Sequence, residues 1–297
     1  MSNKPRKMTL EKKHNLTGWA FLAPATFLIA VFSFWPMIKA LVLSFQTGKG
    51  TNMQMAGFTN YIRMFQDDVF IQSIKNTFFY FILQVPIMLA VALVLACILN
   101  KKDLRFKGFF RTMIFLPCTT SLVAYSIIFR SLFANNGLVN YVLVNFGILD
   151  KPYNFLTQPF AAKMVIILAL LWRWTGYNMV FFLSGLQNIE YSVYEAAKID
   201  GASAIQTFFK ITVPLLKPTI LLTAIMSTNG TLQLFDESIN LTDGGPANAS
   251  ISMSHYIYNL CFKYVPNFGY AAAMSFFILL LVAVLAFIQM RVGDKRD

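Results

Sequence analysis

The sequence predicts an all-α, polytopic membrane protein, and three observations carry that prediction. Hydrophobic residues fill 57% of the 297 positions and charged residues 13%, about half the charged share of a soluble domain. Thirty phenylalanines and a mean hydropathy of +0.57 are more apolar surface than a globule of this size hides from water. The apolar residues also fall in long runs. Five are uncharged, and a sixth carries Lys163 at its edge and Arg173 in its middle.

A helix that crosses a bilayer needs about 20 mostly apolar residues. The first run, 16–38, follows Lys4, Arg6, Lys7, Lys12 and Lys13 in the manner of a signal peptide. It is longer than an h-region of about 7–15 residues and no A-x-A cleavage site follows, so it reads as an uncleaved helix over about 16–45. The second run gives a helix over 76–100. The third, 112–129, extends to a helix over about 109–133, and the fourth is the arginine-bearing 160–186. The run 218–235 gives a helix over about 214–235, and the last, 264–290, is apolar from about 268 to 290. These six spans form one unit, 16–291, between tails 1–15 and 292–297.

Six spans place both termini on one side. Sixteen of the 25 Lys and Arg residues lie in the two tails and in the 100–111 and 187–217 loops, against seven in the other three loops. Basic loops are retained in the cytoplasm, so both termini are expected there. The net charge of +12 is thereby accounted for without nucleic acid. Pro24, Pro36, Pro86 and Pro117 lie in or near spans, where proline removes a backbone hydrogen bond. They fit either a curved bundle around a cavity or plain kinks. Cys97, Cys118 and Cys261 have no ligand spacing and read as small packing residues.

No catalytic constellation is visible. There is no G-x-x-x-x-G-K-[ST] phosphate loop, so ATP has no evident site here. The histidines are His14 in the basic tail and His255 in an outer loop, with no metal-ligand spacing around them. The chain is expected to be neither an enzyme nor a holder of a metal or cofactor.

The 187–217 loop carries more information. Residues 187–200 read as an amphipathic helix with Val193, Ala196, Ala197 and Ile199 among polar neighbours. Gly201 interrupts it, since glycine takes a positive φ at little cost. A helical pattern resumes over 202–210, and Pro214 and Pro218 mark the entrance to the fifth span. Small Ala196 and Ala197 beside Glu195 suit the close approach of a partner protein. An interfacial helix that only caps the bundle fits the same periodicity.

Glu195-Ala196-Ala197, three residues, Gly201, nine residues and Ile211-Thr212-Val213-Pro214 resemble the EAA loop, E-A-A-x3-G-x9-I-x-L-P, of bacterial ABC importer permeases. Val213 for leucine is the one departure. The resemblance extends over about 16–291 toward carbohydrate-uptake permeases of the maltose, glycerol-3-phosphate and multiple-sugar type. Asn60-Tyr61, Asn76-Thr77, Gly137-Leu138-Val139-Asn140, Leu241-Thr242-Asp243-Gly244-Gly245-Pro246 and Tyr270-Ala271-Ala272-Ala273 look like stretches usual in them. It implies six helices in a type I importer permease fold with a cytoplasmic coupling helix, in a bacterial inner membrane. The implied partners are a second homologous permease, two cytoplasmic ATPases that hold the ATP and Mg, and an extracytoplasmic sugar-binding protein. Glu195, Ala196, Ala197, Asp200 and Gly201 would then couple to an ATPase.

Sugar sites combine hydroxyl-bonding groups with aromatic faces. The fourth span supplies Arg173, Trp174, Tyr177 and Asn178, and the fifth supplies Ser227, Asn229, Thr231 and Gln233. Counted from Glu195, Trp174, Tyr177, Ser227 and Thr231 fall at positions that line the sugar site of maltose-type permeases, and the resemblance implies a sugar cargo, an oligosaccharide in particular. Arg173 fits two roles, a hydrogen-bond donor or anion clamp in the cavity, or a structural pair with a helix carbonyl or with the partner permease. Asp236 and Glu237 are expected at the outer end of the fifth span, touching the binding protein or marking the interface. Glycerol-3-phosphate import, a secondary transporter and a membrane scaffold are the rival functions.

Overall fold

The computed structural model describes residues 9–49, 52–101 and 103–293. Lys4, Arg6, Lys7, Lys102, Lys295 and Arg296, six of the sixteen basic residues used for orientation, lie outside them. In chain order the elements are α1 (Leu10–Ser44), a hairpin of β1 (Gln46–Lys49) and β2 (Asn52–Met55), α2 (Thr59–Met64) and α3 (Asp68–Asn100). Next come α4 (Lys107–Thr119), α5 (Leu122–Leu132), α6 (Leu138–Asn145), α7 (Pro159–Gln187), α8 (Tyr191–Ile199) and α9 (Ala204–Leu215). The chain ends with α10 (Lys217–Leu232), α11 (Asp236–Thr242), α12 (Met253–Tyr258) and α13 (Phe268–Gly293). Among the described residues the antiparallel hairpin is the exception to an otherwise helical architecture, and the sequence pattern does not announce it.

Among the described residues four elements, α1, α3, α7 and α13, are each long and apolar enough to cross a membrane. The expected third and fifth spans are not single helices. The pair α4–α5 bends by 98° and the pair α9–α10 by 71°, so a count of six requires each bent pair to be one span. At the first elbow Pro117 has no N–H to give the ladder. The Thr119 and Thr120 hydroxyls then donate to the Leu116 and Pro117 carbonyls at 2.8 and 2.7 Å, competing with helix continuation. The second elbow lies between Pro214 and Pro218, where the latter has no N–H for the Pro214 carbonyl.

Helix α1 carries a π-turn over Ala30–Phe34. Pro36 lacks the N–H that Phe32 would accept from, and the ladder shifts register there, with the Trp35 N–H reaching the Ala30 carbonyl. The apolar window of α1 buries nothing against the rest of the chain. Helix α3 begins eight residues before its uncharged run because Asp67 caps it, accepting from the Val69 and Phe70 N–H groups at 3.0 and 3.2 Å. The other Asp67 oxygen accepts from the Tyr256 and Tyr270 hydroxyls, each at 2.7 Å. One carboxylate thus ties α3, α12 and α13 together.

Helix α3 packs along α7, α4 crosses α7, and α10 lies against α3 and α13. The α4–α7 approach depends on Gly176, where a Cβ would sit 1.9 Å from the Ile114 carbonyl oxygen. Three asparagines fasten the connecting segments, each with its amide. Asn60 donates to the Ser44 and Gln46 carbonyls, and Asn76 to those of Asn248 and Ile251. Asn140 donates to the Ala134 and Tyr153 carbonyls and accepts from the Tyr153 N–H.

Candidate functional site

Side chains of α3, α5, α7, α10 and α11 enclose a cavity of about 310 Å³, at the small end of the range for ligand pockets. Helical spacing turns Trp174, Tyr177 and Asn178 of α7 toward it, and Ser227, Gly230 and Thr231 of α10, each set at i, i+3 and i+4. Gln233 follows just past the end of α10. Six of the eight residues expected to contact cargo therefore share one cavity. Trp174 and Tyr177 stand edge to face, 5.8 Å between centroids. A Cβ on Gly230 would meet nothing within 4 Å, so this glycine leaves room in the cavity.

The polar groups pair across helices. The Thr231 hydroxyl donates to the Gln84 Oε1 of α3 at 2.9 Å, and the Ser227 hydroxyl donates to the Asn178 Oδ1 at 3.3 Å. Gln84 and Met88 are cavity residues that the sequence reading missed. The available signal was Gln84, an amide in the interior of a span whose other amides, Asn76 and Asn100, stand at its ends.

Arg173 and Asn229 do not line this cavity. Arg173 is 5% exposed and serves the α4–α5 elbow. One of its amino groups donates to the Thr120 carbonyl at 2.7 Å, the Thr120 hydroxyl at 3.1 Å and the Pro117 carbonyl at 3.3 Å. Its guanidinium also lies over the rings of Tyr125 and Trp174, at 4.8 and 5.2 Å. Of the two roles open in the sequence, the structure has the carbonyl partner. Asn229 points instead into a separate groove against α13, where it accepts a hydrogen bond from Gln233.

Asp236 and Glu237 both line the cavity. They follow directly on the end of α10, and Glu237 lies inside the fold. It is 3% exposed and accepts a hydrogen bond from the Tyr125 hydroxyl. Burial pushes its carboxyl above the usual carboxylate range, while the Tyr125 bond pulls it down.

At the opposite end of α10 lies the 187–217 segment. It forms the expected helix, glycine turn and short helix. Helix α8 ends at a turn in which Gly201 takes a φ of +76° and the Ala202 N–H bonds the Ala197 carbonyl at 2.9 Å. Ser203 opens α9 with a capping box, its hydroxyl accepting from the Gln206 N–H and its N–H donating to the Gln206 side chain. Glu195, Ala196, Asp200 and Gly201 are exposed, whereas Ala197 is buried. Ile199, Ile205 and Phe209 add exposed apolar surface beside them.

Residues 70–296 match the family described as binding-protein-dependent transport system inner membrane component. The chain is 51% identical over 292 residues to the lactose transport system permease protein LacF of Rhizobium radiobacter, covering 98% of each. It is 30% identical over 288 residues to the arabinooligosaccharides transport system permease protein AraP of Halalkalibacterium halodurans, covering 96% of this chain and 90% of the relative. Its fold superposes with a TM-score of 0.85, at 25% identity and over 98% of both chains, on a chain of a bacterial alginate ABC transporter solved in complex with an alginate pentasaccharide-bound periplasmic protein.

Proposed function

Because the chain belongs to the binding-protein-dependent transport system inner membrane components, we propose that it is the transmembrane subunit of an ATP-driven importer for a sugar, an oligosaccharide in particular. One observation carries the cargo class. The cavity brings Trp174 and Tyr177 together with the hydroxyls of Ser227 and Thr231 and the amides of Asn178, Gln84 and Gln233. Aromatic faces take up the C–H surfaces of a pyranose, and hydroxyl and amide groups exchange hydrogen bonds with its ring substituents. Relatives named for lactose and arabinooligosaccharide transport support the same class.

A second, homologous permease pairs with this chain, and an extracytoplasmic binding protein delivers the sugar. Two cytoplasmic ATPases dock on the paired coupling segments, where Glu195, Ala196, Asp200 and Gly201 present an exposed surface and buried Ala197 holds α8 in place. ATP and Mg belong to those subunits. Both termini lie in the cytoplasm on the strength of the basic loops. Docking at one end of α10 moves that helix, and the cavity at its other end alternates between outward and inward access.

The test is uptake of labelled mono- and oligosaccharides by cells with and without this gene. Loss of uptake for one sugar class is expected. Unchanged uptake across the whole panel overturns the sugar assignment.

A further inference from the structure

On the premise that the cavity carries a sugar, we infer that Asp236, backed by Glu237, is a charge filter that admits uncharged glycans and turns anionic ones away. Among the described residues, two acidic side chains line the cavity and no lysine, arginine or histidine does. The cation of the neighbouring span, Arg173, is engaged by Pro117 and Thr120 at the elbow and is 5% exposed. Its guanidinium lies on the ring of Tyr125, whose hydroxyl donates to Glu237. Glu237 is thus buried and hydrogen-bonded from behind through a shared tyrosine, and it presents less charge to the cavity than Asp236 does.

Asp236 differs. It is half-buried, and among the described residues the ion pair joins Asp243 to Lys263 and does not involve Asp236. Its charge stands uncompensated at the cavity wall. A neutral sugar loses nothing to it, because its hydroxyls donate charge-assisted hydrogen bonds to a carboxylate. An anionic ligand meets a like charge. At about 8 Å and an effective dielectric of about 20, one such charge weakens binding roughly thirtyfold. Uronates, aldonates and sugar phosphates are disfavoured together, since the filter acts on sign and not on shape.

The experiment uses the purified complex of both permeases and their ATPases in lipid nanodiscs, without the binding protein, so that selective delivery does not enter. Equilibrium binding is measured for lactose and cellobiose and for their oxidised counterparts, lactobionate and cellobionate. The wild-type complex is expected to bind a neutral sugar about tenfold or more tighter than its aldobionate. Asp236→Asn is expected to close most of that gap by raising aldobionate affinity, and Glu237→Gln to close less of it. If Asp236→Asn does not assemble, raising salt on the wild-type complex should narrow the same gap by screening. Equal wild-type binding of both classes overturns the filter and leaves the sugar assignment standing. A gap that survives both substitutions and high salt also overturns it. Binding of no sugar of either kind removes the premise itself.

Discussion

Replacing Arg173 by methionine should loosen the α4–α5 elbow and spare the cargo contacts. Methionine fills much of the same volume but donates no hydrogen bond. The Pro117 carbonyl keeps the Thr120 hydroxyl at 2.7 Å. Among the described residues no donor other than Arg173 reaches the Thr120 carbonyl. Orphaning one buried carbonyl costs about 1–3 kcal/mol, and losing the guanidinium over Tyr125 and Trp174 roughly 1 kcal/mol more. The expected loss is about 2–4 kcal/mol. Insertion pulls the other way, because an arginine at a span's centre costs about 2.5–3.5 kcal/mol to insert. That recovery drops out when the unfolded reference is itself inserted in detergent. The assay is therefore SDS-titrated unfolding followed by tryptophan fluorescence, with Trp172 and Trp174 flanking the site, alongside sugar affinity of the assembled complex. A lowered midpoint with affinity within about threefold fits the elbow role. An unchanged midpoint with a tenfold loss of affinity would refute it and put the guanidinium in the cavity.

Glu195→Lys is expected to remove the ATPases from the purified complex while the permease stays inserted; full co-purification would end the docking proposal. Gly176→Ala places a Cβ 1.9 Å from the Ile114 carbonyl, and overpacking of that kind costs about 1–3 kcal/mol, read as a lower unfolding midpoint. Gly230→Ala is the contrasting case, with open space around its Cβ: stability should hold or rise, and sugar affinity should fall as the cavity narrows. Burial pulls the His255 pKa down to about 4, with Asp243 opposing and Lys263 assisting, and its Nδ1 faces the Ser238 hydroxyl at 2.9 Å. A histidine kept neutral in the fold stabilises it fully above its unfolded pKa of about 6.5. Stability should then decline by up to about 3 kcal/mol as pH falls from 6.5 toward 4. Unfolding midpoints across pH check this, and His255→Gln should flatten the profile.

The spans were legible because lipid leaves few choices. A helix in hydrocarbon must be apolar and long, and 160–186 and 268–290 are nearly the observed Pro159–Gln187 and Phe268–Gly293. The elbows were not, because Pro117 alone decides nothing. The 98° bend also needs two threonine hydroxyls on local carbonyls and a guanidinium from a helix more than 50 residues on. In the cavity, i, i+3, i+4 spacing was enough to gather Trp174, Tyr177 and Asn178. It missed Gln84 and Met88, which come from a span read only as apolar. Arg173 was ambiguous for a general reason: an intramembrane charge announces that it has a partner but not which one. Asn60, Asn76 and Asn140 stood in stretches flagged by resemblance alone, and their amides on loop carbonyls now give the physical reason for asparagine there.

The 71° bend between α9 and α10 makes α10 the long arm of a lever. Thr231 lies 14 residues beyond Lys217, about 21 Å along the helix axis. A tilt of roughly 10° about the elbow would swing Thr231 by about 4 Å over that arm, more than the 2.9 Å that separates it from Gln84. Ser227, one turn nearer the pivot, would travel less, but its bond to Asn178 starts longer, at 3.3 Å. The two pairs are thus catches along the same arm. Each that opens turns a satisfied hydroxyl into a free one facing the cavity, so the polarity offered to a sugar would follow the angle of the helix.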